Sequence, residues 1–458
     1  MPRHARTTQA ATPILLGQWT SPNELVDVVL NGDQAYLSAW AGGLQRVNVS
    51  NPQQIQWLGS YESEGLTEAV ALSGQLAWMA DHAGGVVIID MSQPASPVVV
   101  GRYESQHFVS DVVLAGSIAY VAEGAAGLTL LDAGNPNQPT VLGRYDTQGQ
   151  ATRLAVSGSL VYVADGNAGV TILDAGDPAN PALINRYDTS GTARSIVLNG
   201  NLAYVADGAQ GLLVLDVSNP NTPKRIGQID TPGDATDVVV TNGLAYVADG
   251  DSGLRVYDVS QPEQPTLLTA YDTSGDAQGV AVQGEQVYVA DGTAGLVVLN
   301  VTLNAAVSGT LLIQGNPVQN QTLQVDSQSL ADADGLGTLN YQWLANGVAV
   351  SGATGAQYTL TQTDVGKTLS VKASYTDGKG HAETITSPAT LSIANINDAP
   401  TGALSLSGKA ELGNTLRLVN TLADADGLGA FSYQVAGQWH SHSGSDRYGL
   451  VHYCGRNR

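Results

Sequence analysis

Seven positions spaced 42 residues apart carry Asp27, Ala69, Asp111, Arg153, Ser195, Asp237 and Gly279. One guanidinium among carboxylates and a hydroxyl could orient a charged or polar ligand. A specific ligand requires such an asymmetric set at an otherwise symmetric position, although drift at solvent-facing positions would produce the same variation. Asp27, Asp111, Arg153, Ser195 and Asp237 therefore form the candidate ligand-binding set. Two acidic rows keep the same spacing. One runs Asp81, Glu123, Asp165, Asp207, Asp249 and Asp291; the other runs Glu62, Glu104, Asp146, Asp188, Asp230 and Asp272. Gathered on one rim they would concentrate cations or a basic partner. The alternative is structural, with Asp-Gly making a turn and the second acid capping a loop.

A further group of hard oxygen donors lies beyond residue 303: Asp332, Asp334, Asp377, Asn395, Asn397 and Asp398. Carboxylates and side-chain carbonyls of this kind suit calcium, and Asp-rich turn chemistry is the competing explanation. No catalytic constellation emerges. His82 and His107 have no serine or cysteine in motif context, and no phosphate-cradling loop leads into a helix. Acid pairs in so acidic a repeat carry no weight as glycosidase candidates.

The elements that must position these residues follow from the period. The aromatics Tyr36, Trp78, Tyr120, Tyr162, Tyr204, Tyr246 and Tyr288 are each 42 residues apart. Around each, four short runs rich in Val, Ile, Leu and Tyr are separated by Asn-Gly, Asp-Gly, Asn-Pro and Ser-Gly, which is strand and hairpin chemistry with no helical period. Four strands per period of this length predict a blade of a β-propeller. Glycine recurs at Gly43, Gly85, Gly127, Gly169, Gly211, Gly253 and Gly295, where a turn between the second and third strands needs a positive φ. The candidate set then opens the innermost strands, near the mouth of the central channel.

The seventh copy ends at Val301 without its fourth strand, whereas the chain begins with an orphan segment, TPILLGQWTS. Shifted by seven periods, Pro13, Gly17 and Trp19 fall in register with Pro97, Gly101 and Tyr103 and with their equivalents in other copies. Residues 12 to 21 are thus expected to supply the outer strand of the last blade, leaving no open edge between the two ends.

The pattern YVADG..GL.VLDVSNP..P, seen from Tyr204 to Pro223 and from Tyr246 to Pro265, resembles the LVIVD repeat family of bacterial surface and secreted proteins. The resemblance covers residues 12 to 301 and implies a propeller; it says little about activity. Residues 309 to 400 resemble the immunoglobulin-like or cadherin-like modules of bacterial adhesins and repeats-in-toxin proteins. That likeness rests on Asp332-Ala333-Asp334-Gly335, Tyr341-Gln342-Trp343, Asp364-Val365-Gly366, Tyr375-Thr376-Asp377-Gly378 and the boundary from Asn395 to Pro400. It implies a β-sandwich and casts Asn395, Asn397 and Asp398 as a cadherin-type linker, without an obvious upstream acidic partner motif.

The expected fold is therefore all-β. Residues 1–11 are disordered and 12–303 form a seven-bladed propeller closed by the N-terminal strand. Residues 304–400 form a β-sandwich, 401–434 begin a second such module, and 435–458 form an aberrant, disordered tail. The second module repeats LADADGLG from Leu422 to Gly429 but has Val435 where the first has Trp343. The tail VAGQWHSHSGSDRYGLVHYCGRNR suggests a reading-frame change near Gln434; His440, His442, His452 and Cys454 as a metal site is the alternative.

Composition limits the partners. Nineteen Lys and Arg stand against 41 Asp and Glu, a net charge of −22. That balance argues against nucleic acid and anionic membranes, and for divalent cations or solubility outside the cell. A single Cys excludes a disulfide framework. No run reaches the length of a membrane helix. The start lacks an adequate apolar core for a signal peptide, so export would use a C-terminal signal or an upstream start. The expectation is a monomeric, non-enzymatic, extracellular or cell-surface binding protein, with the propeller as head for a protein or glycan ligand on a calcium-stiffened stalk. The alternatives are a metal-dependent hydrolase or lactonase using the acidic rim, and a purely structural surface protein.

Overall fold

The computed structural model describes residues 8–9, 13–93, 95–302, 304–411, 413–440 and 447–453. It divides into two units, residues 1–305 and 306–458. The first holds seven four-stranded antiparallel sheets, one per period, as a seven-bladed propeller requires. Blades 1 to 6 occupy residues 27–61, 69–103, 111–145, 153–187, 195–229 and 237–271. Blade 7 comprises Gly279–Gln283, Gln286–Ala290 and Leu296–Asn300, with Ile14–Trp19 as its outer strand.

Within a blade the polarity of each strand follows its depth. The third strand reads Leu212-Leu213-Val214-Leu215 in blade 5, and all four side chains are buried, because both of its faces meet neighbouring sheets. Between blades 4 and 5, Tyr162, Val170 and Ile172 pack with Ile196, Val205, Leu213 and Leu215 in one cluster. Each such Val or Leu contributes about 1.5–3 kcal/mol on burial, so the blades are held mainly by their shared faces. The expected turn glycines all have positive φ, as at Gly169 (77°). There a Cβ would collide with the Tyr187 carbonyl of the outer strand.

The orphan N-terminal segment behaves as its register implies. Ile14 pairs with Asn300 and Trp19 with Leu296, and a register shift falls between Leu15 and Gly17. Gly17 is needed because a Cβ would strike the Pro52 carbonyl of blade 1. Blade 7 packs on blade 1 through Tyr288, Leu296 and Val298 against Leu25, Val28, Leu37 and Val47. The sheets themselves stay open: the N-terminal strand completes one blade and does not fuse sheets into a barrel.

Two expectations need correction. Part of the supposedly disordered N-terminus pairs, Thr8–Gln9 with Asn304–Ala305; residues 1–7 and 10–12 lie outside the described residues. Two single-turn 3-10 helices, Pro52–Gln54 and Gln362–Asp364, lie between strands and leave the fold all-β. The tail also pairs, Gln434–His440 with Arg447–Tyr453 in an antiparallel ladder without a register shift; His442 and Cys454 lie outside the described residues.

In the second unit, a three-stranded sheet (Leu312–Gln314, Thr322–Asp326, Gln357–Thr359) and a four-stranded sheet (Asn340–Ala345, Val348–Ala349, Leu369–Thr376, Ala382–Thr386) share one core. Trp343 is fully buried at its centre, with its indole Nε1 donating to the Gly355 carbonyl at 2.9 Å. Further on, Leu404–Ser407 pairs with Arg417–Asn420, but Leu418, Val419, Phe431 and Tyr433 are exposed.

Candidate functional site

The candidate set sits as the repeat requires: Asp27, Asp111, Arg153, Ser195 and Asp237 are each the first residue of an innermost strand. The structure brings three of them into one ionic group. Arg153 Nη2 lies 3.6 Å from Asp27 Oδ1, and Nη1 lies 3.7 Å from Asp111 Oδ1. Ser195 is linked separately, its Oγ donating to Asp237 Oδ1 at 2.7 Å.

Two of the carboxylates also hold the ring together. Asp111 Oδ2 accepts from the Leu154 amide at 2.8 Å, and Asp237 Oδ2 accepts from the Val280 amide at 3.0 Å. Each bond runs from one innermost strand to the next, so these side chains secure the channel wall as well as charging it. Asp27 serves chiefly as a charge. Burial, reinforced by Asp237 and Asp111 and only partly opposed by Arg153, pushes its pKa up to about 6. Asp111 is raised for the same leading reason.

Sequence reasoning missed Glu68, one residue before the innermost strand of blade 2. Burial pushes its pKa up to about 7, against the pull of Arg153, and its Oε1 lies 3.6 Å from His82 Nε2. Although burial lowers the pKa of Arg153, Asp27, Asp111, Asp237 and Glu68 together hold it well above its ordinary value. One guanidinium shared among four carboxylates is thus over-supplied with partners, while each carboxylate receives only a share of one cation. The channel end is left with excess negative charge and two acids that titrate near neutrality. Glu68 recurs in the frame as Val26, Ser110, Thr152, Arg194, Thr236 and Gln278, a position as variable as the candidate set, and that variation was the signal that could have found it.

The two acidic rows separate. The outer row, Glu62 to Asp272, is exposed, whereas Asp81, Glu123, Asp165, Asp207, Asp249 and Asp291 are buried. Asp207 Oδ1 accepts from Thr189 Oγ1 at 2.7 Å and Oδ2 from the Gly191 amide at 3.1 Å. Equivalent threonine bonds reach Asp165, Asp249 and Asp291. These carboxylates tie the incoming inter-blade connection to the second-to-third-strand turn, so the inner row is no cation-collecting surface. Burial raises the pKa of Asp165, Asp207, Asp249 and Asp291.

The six calcium candidates fall into two groups. Asp334, Asp377 and His381 converge, with ligand atoms within 4.8 Å of one another. Asp332 adjoins them, its Oδ1 accepting from the Asp334 amide at 2.8 Å and its Oδ2 from the Tyr375 hydroxyl. Burial acts to raise the Asp377 pKa, but hydrogen bonds from His381 and Lys379 hold it below the usual range. The linker forms the second group. Asp398 accepts from Gln319 Nε2 at 3.0 Å and donates its amide to Asp426 Oδ2 at 2.7 Å. Asn395 receives a 3.5 Å contact from Gln362, and Asn397 donates to the Asp398 carbonyl. His381 and Asp426 were not singled out in sequence; Asp426 was legible as the counterpart of Asp334 in the repeated LADADGLG.

The comparison with family models decides what the ring is. The LVIVD repeat model matches seven times, over residues 25–63, 64–105, 108–147, 148–189, 190–231, 232–273 and 274–303, together more than half of the chain. The chain belongs to the LVIVD repeat family. Comparison with curated proteins finds no match. Among solved structures, this LVIVD propeller is similar to the WD40 domain of Neurospora crassa Pan2 (14% identity, 65% of this chain and 98% of that one, TM-score 0.51). It is also similar to a chain of a mitotic checkpoint complex (13%, 66% and 94%, TM-score 0.51) and to the computationally designed protein Ika8 (11%, 63% and 100%, TM-score 0.50). At these identities the likeness is one of fold. The matched repeats end at residue 303, so the second unit lies outside the family match.

Proposed function

We propose that this LVIVD protein is a non-enzymatic binding protein of the cell surface or extracellular space, with the propeller as its ligand-binding head. The observation that carries this reading is the break in symmetry at the channel end. Seven equivalent strand starts present Arg153 against Asp27 and Asp111, with Glu68 drawn into the same field. Fold alone needs no such asymmetry, whereas recognition of a polar partner does. In this reading residues 304–400 are a β-sandwich module of a stalk, the pairs beyond them begin a second, and calcium stiffens them. Asp334 and Asp377 supply oxygens in the first module, with Asn395 and Asp398 at the linker.

Fluorescently labelled full-length protein should bind bacterial or animal cell surfaces saturably. Arg153→Ala should weaken that binding at least tenfold. Absence of saturable binding on every surface tried removes the reading. Calorimetry with calcium, paired with melts in calcium and in chelator, tests the stalk. Stabilisation that Asp377→Asn and Asp398→Asn both diminish supports it, and an unchanged melt excludes calcium from this role.

A further inference from the structure

The outer strands reveal a second break in symmetry. From blade 1 to blade 4, an arginine of each outer strand reaches the tyrosine of the preceding one. Arg102 donates to the Tyr61 hydroxyl at 2.9 Å, Arg144 to Tyr103 at 2.9 Å, and Arg186 to Tyr145 at 3.5 Å. Where blade 7 meets blade 1, the same two positions hold Trp19 and Ser60. The bridge is missing there, as it is between blades 4 and 5 (Tyr187 and Gln228), 5 and 6 (Ile229 and Ala270) and 6 and 7 (Tyr271 and Gln18); at the seam between blades 7 and 1 a cavity of about 580 Å³ opens, within the size range of small-ligand sites.

The lining of this cavity departs from the repeat at several points. Trp57 stands where the other blades carry Val99, Val141, Leu183, Arg225, Leu267 and Leu15, and it is 58% exposed. Gln45 replaces Val87, Thr129, Thr171, Leu213, Arg255 and Val297. It is only 3% exposed, and its Oε1 has no hydrogen-bond partner among the described residues. A buried amide oxygen left unpaired costs about 1–3 kcal/mol, so a ligand donor at this point has a defined acceptor waiting. Asn23, Ser60, Glu62 and Ser63 add polar groups at the same cavity. Gly42 makes room for Asn23, whose side chain occupies the space a Cβ would take.

We propose that the seam between blades 7 and 1 is a carbohydrate-binding site for a neutral mono- or disaccharide. Indole faces stack on the apolar C–H faces of a pyranose ring, while planar amides and a carboxylate pair with its hydroxyls. Glu62 disfavours acidic sugars. A proline-rich peptide would also use exposed tryptophans, but it has few N–H groups to donate to the buried Gln45 oxygen, whereas every sugar hydroxyl carries an O–H that can. The inference rests on the binding-head reading in one respect, that it gives the head a ligand class; its evidence is independent of the channel end.

The test is calorimetry and tryptophan emission on the full chain with cellobiose, maltose, lactose, chitobiose, mannobiose and a PxxP peptide. At least one sugar should bind and shift the emission. Trp57→Ala and Gln45→Val should each weaken it at least tenfold, and Leu267→Ala, at the blade 6 counterpart of Trp57, should not. Trp57 is exposed and Val is the residue of blades 2 and 7, so both variants are expected to fold; a single cooperative melting transition, as in the parent, confirms it. Sugar binding indifferent to these two variants, binding of the peptide alone, or no binding at all overturns the proposal. Saturable cell-surface binding that persists in any of those cases leaves the binding-head reading standing, so the two fail separately.

Discussion

The junctions between blades 1 and 4 and the seam between blades 7 and 1 are built from the same strands to different ends. At the former, arginine and tyrosine join the outer strands. At the latter, Trp19 and Ser60 leave a cavity. A similar exchange occurs within the blades. In blade 5 the strand-two turn carries Asp207, buried and bonded to Thr189, while blade 1 has Ala39 at that position. Repeated groups such as the inner carboxylates thus fix the turns, while at the seam several departures from the repeat coincide with a cavity.

The largest test of this contrast is removal of residues 1–21. Without Ile14–Trp19, blade 7 loses its outer strand and the seam loses Trp19. The propeller should then lose its single cooperative thermal transition, and an unchanged melt would show the seam to be dispensable. Next is Asp207→Ala, which strands the Thr189 hydroxyl and the Gly191 amide and should cost about 2–4 kcal/mol in denaturant unfolding. A cost below ~1 kcal/mol would remove the structural role of the inner acidic row.

The channel end should respond to pH with a defined sign. The folded pKa of Asp27, about 6, lies above its ordinary 3.8, so the unfolded chain gives up the proton first as pH rises. Its contribution to stability is full below about pH 4, declines through pH 6 and stays low above. Glu68 adds the same trend from 4.5 to about 7. Asp27→Asn should flatten the lower part of this slope and raise the melting midpoint at pH 7 by roughly 2–4 °C; an unchanged slope refutes it.

Gln45→Val should stabilise blade 1 by about 1 kcal/mol, since it removes the unpaired buried oxygen. The same change should weaken sugar binding at least tenfold, a trade of stability for function confined to the seam. Smallest is Trp57→Val, expected to alter stability by less than ~0.5 kcal/mol because the side chain is already exposed.

The period of 42 residues, the turn glycines and the register of Pro13, Gly17 and Trp19 made the ring legible before any coordinates, because each reports a local backbone demand. The channel-end set was legible for the same reason, since one position recurred with unlike residues. The part of Glu68 in it was not, as that comes from sharing Arg153 with residues from other blades. Nor was the depth of the inner acidic row: Asp165 and Asp188 look alike in sequence, yet one is buried against Thr147 and the other is exposed.

By itself, then, the sequence determined the strand pattern, the number of blades and which segment completes the seventh. Those follow from hydrophobic alternation, turn chemistry and periodicity, all readable within one repeat length. Tertiary structure alone decided that Trp19, Asn23, Gln45, Trp57 and Glu62 share a cavity. Their meeting depends on the first strand pairing with the last blade. A cavity, moreover, is space that side chains from several elements leave unfilled, and such space has no signature along a chain until those elements are placed.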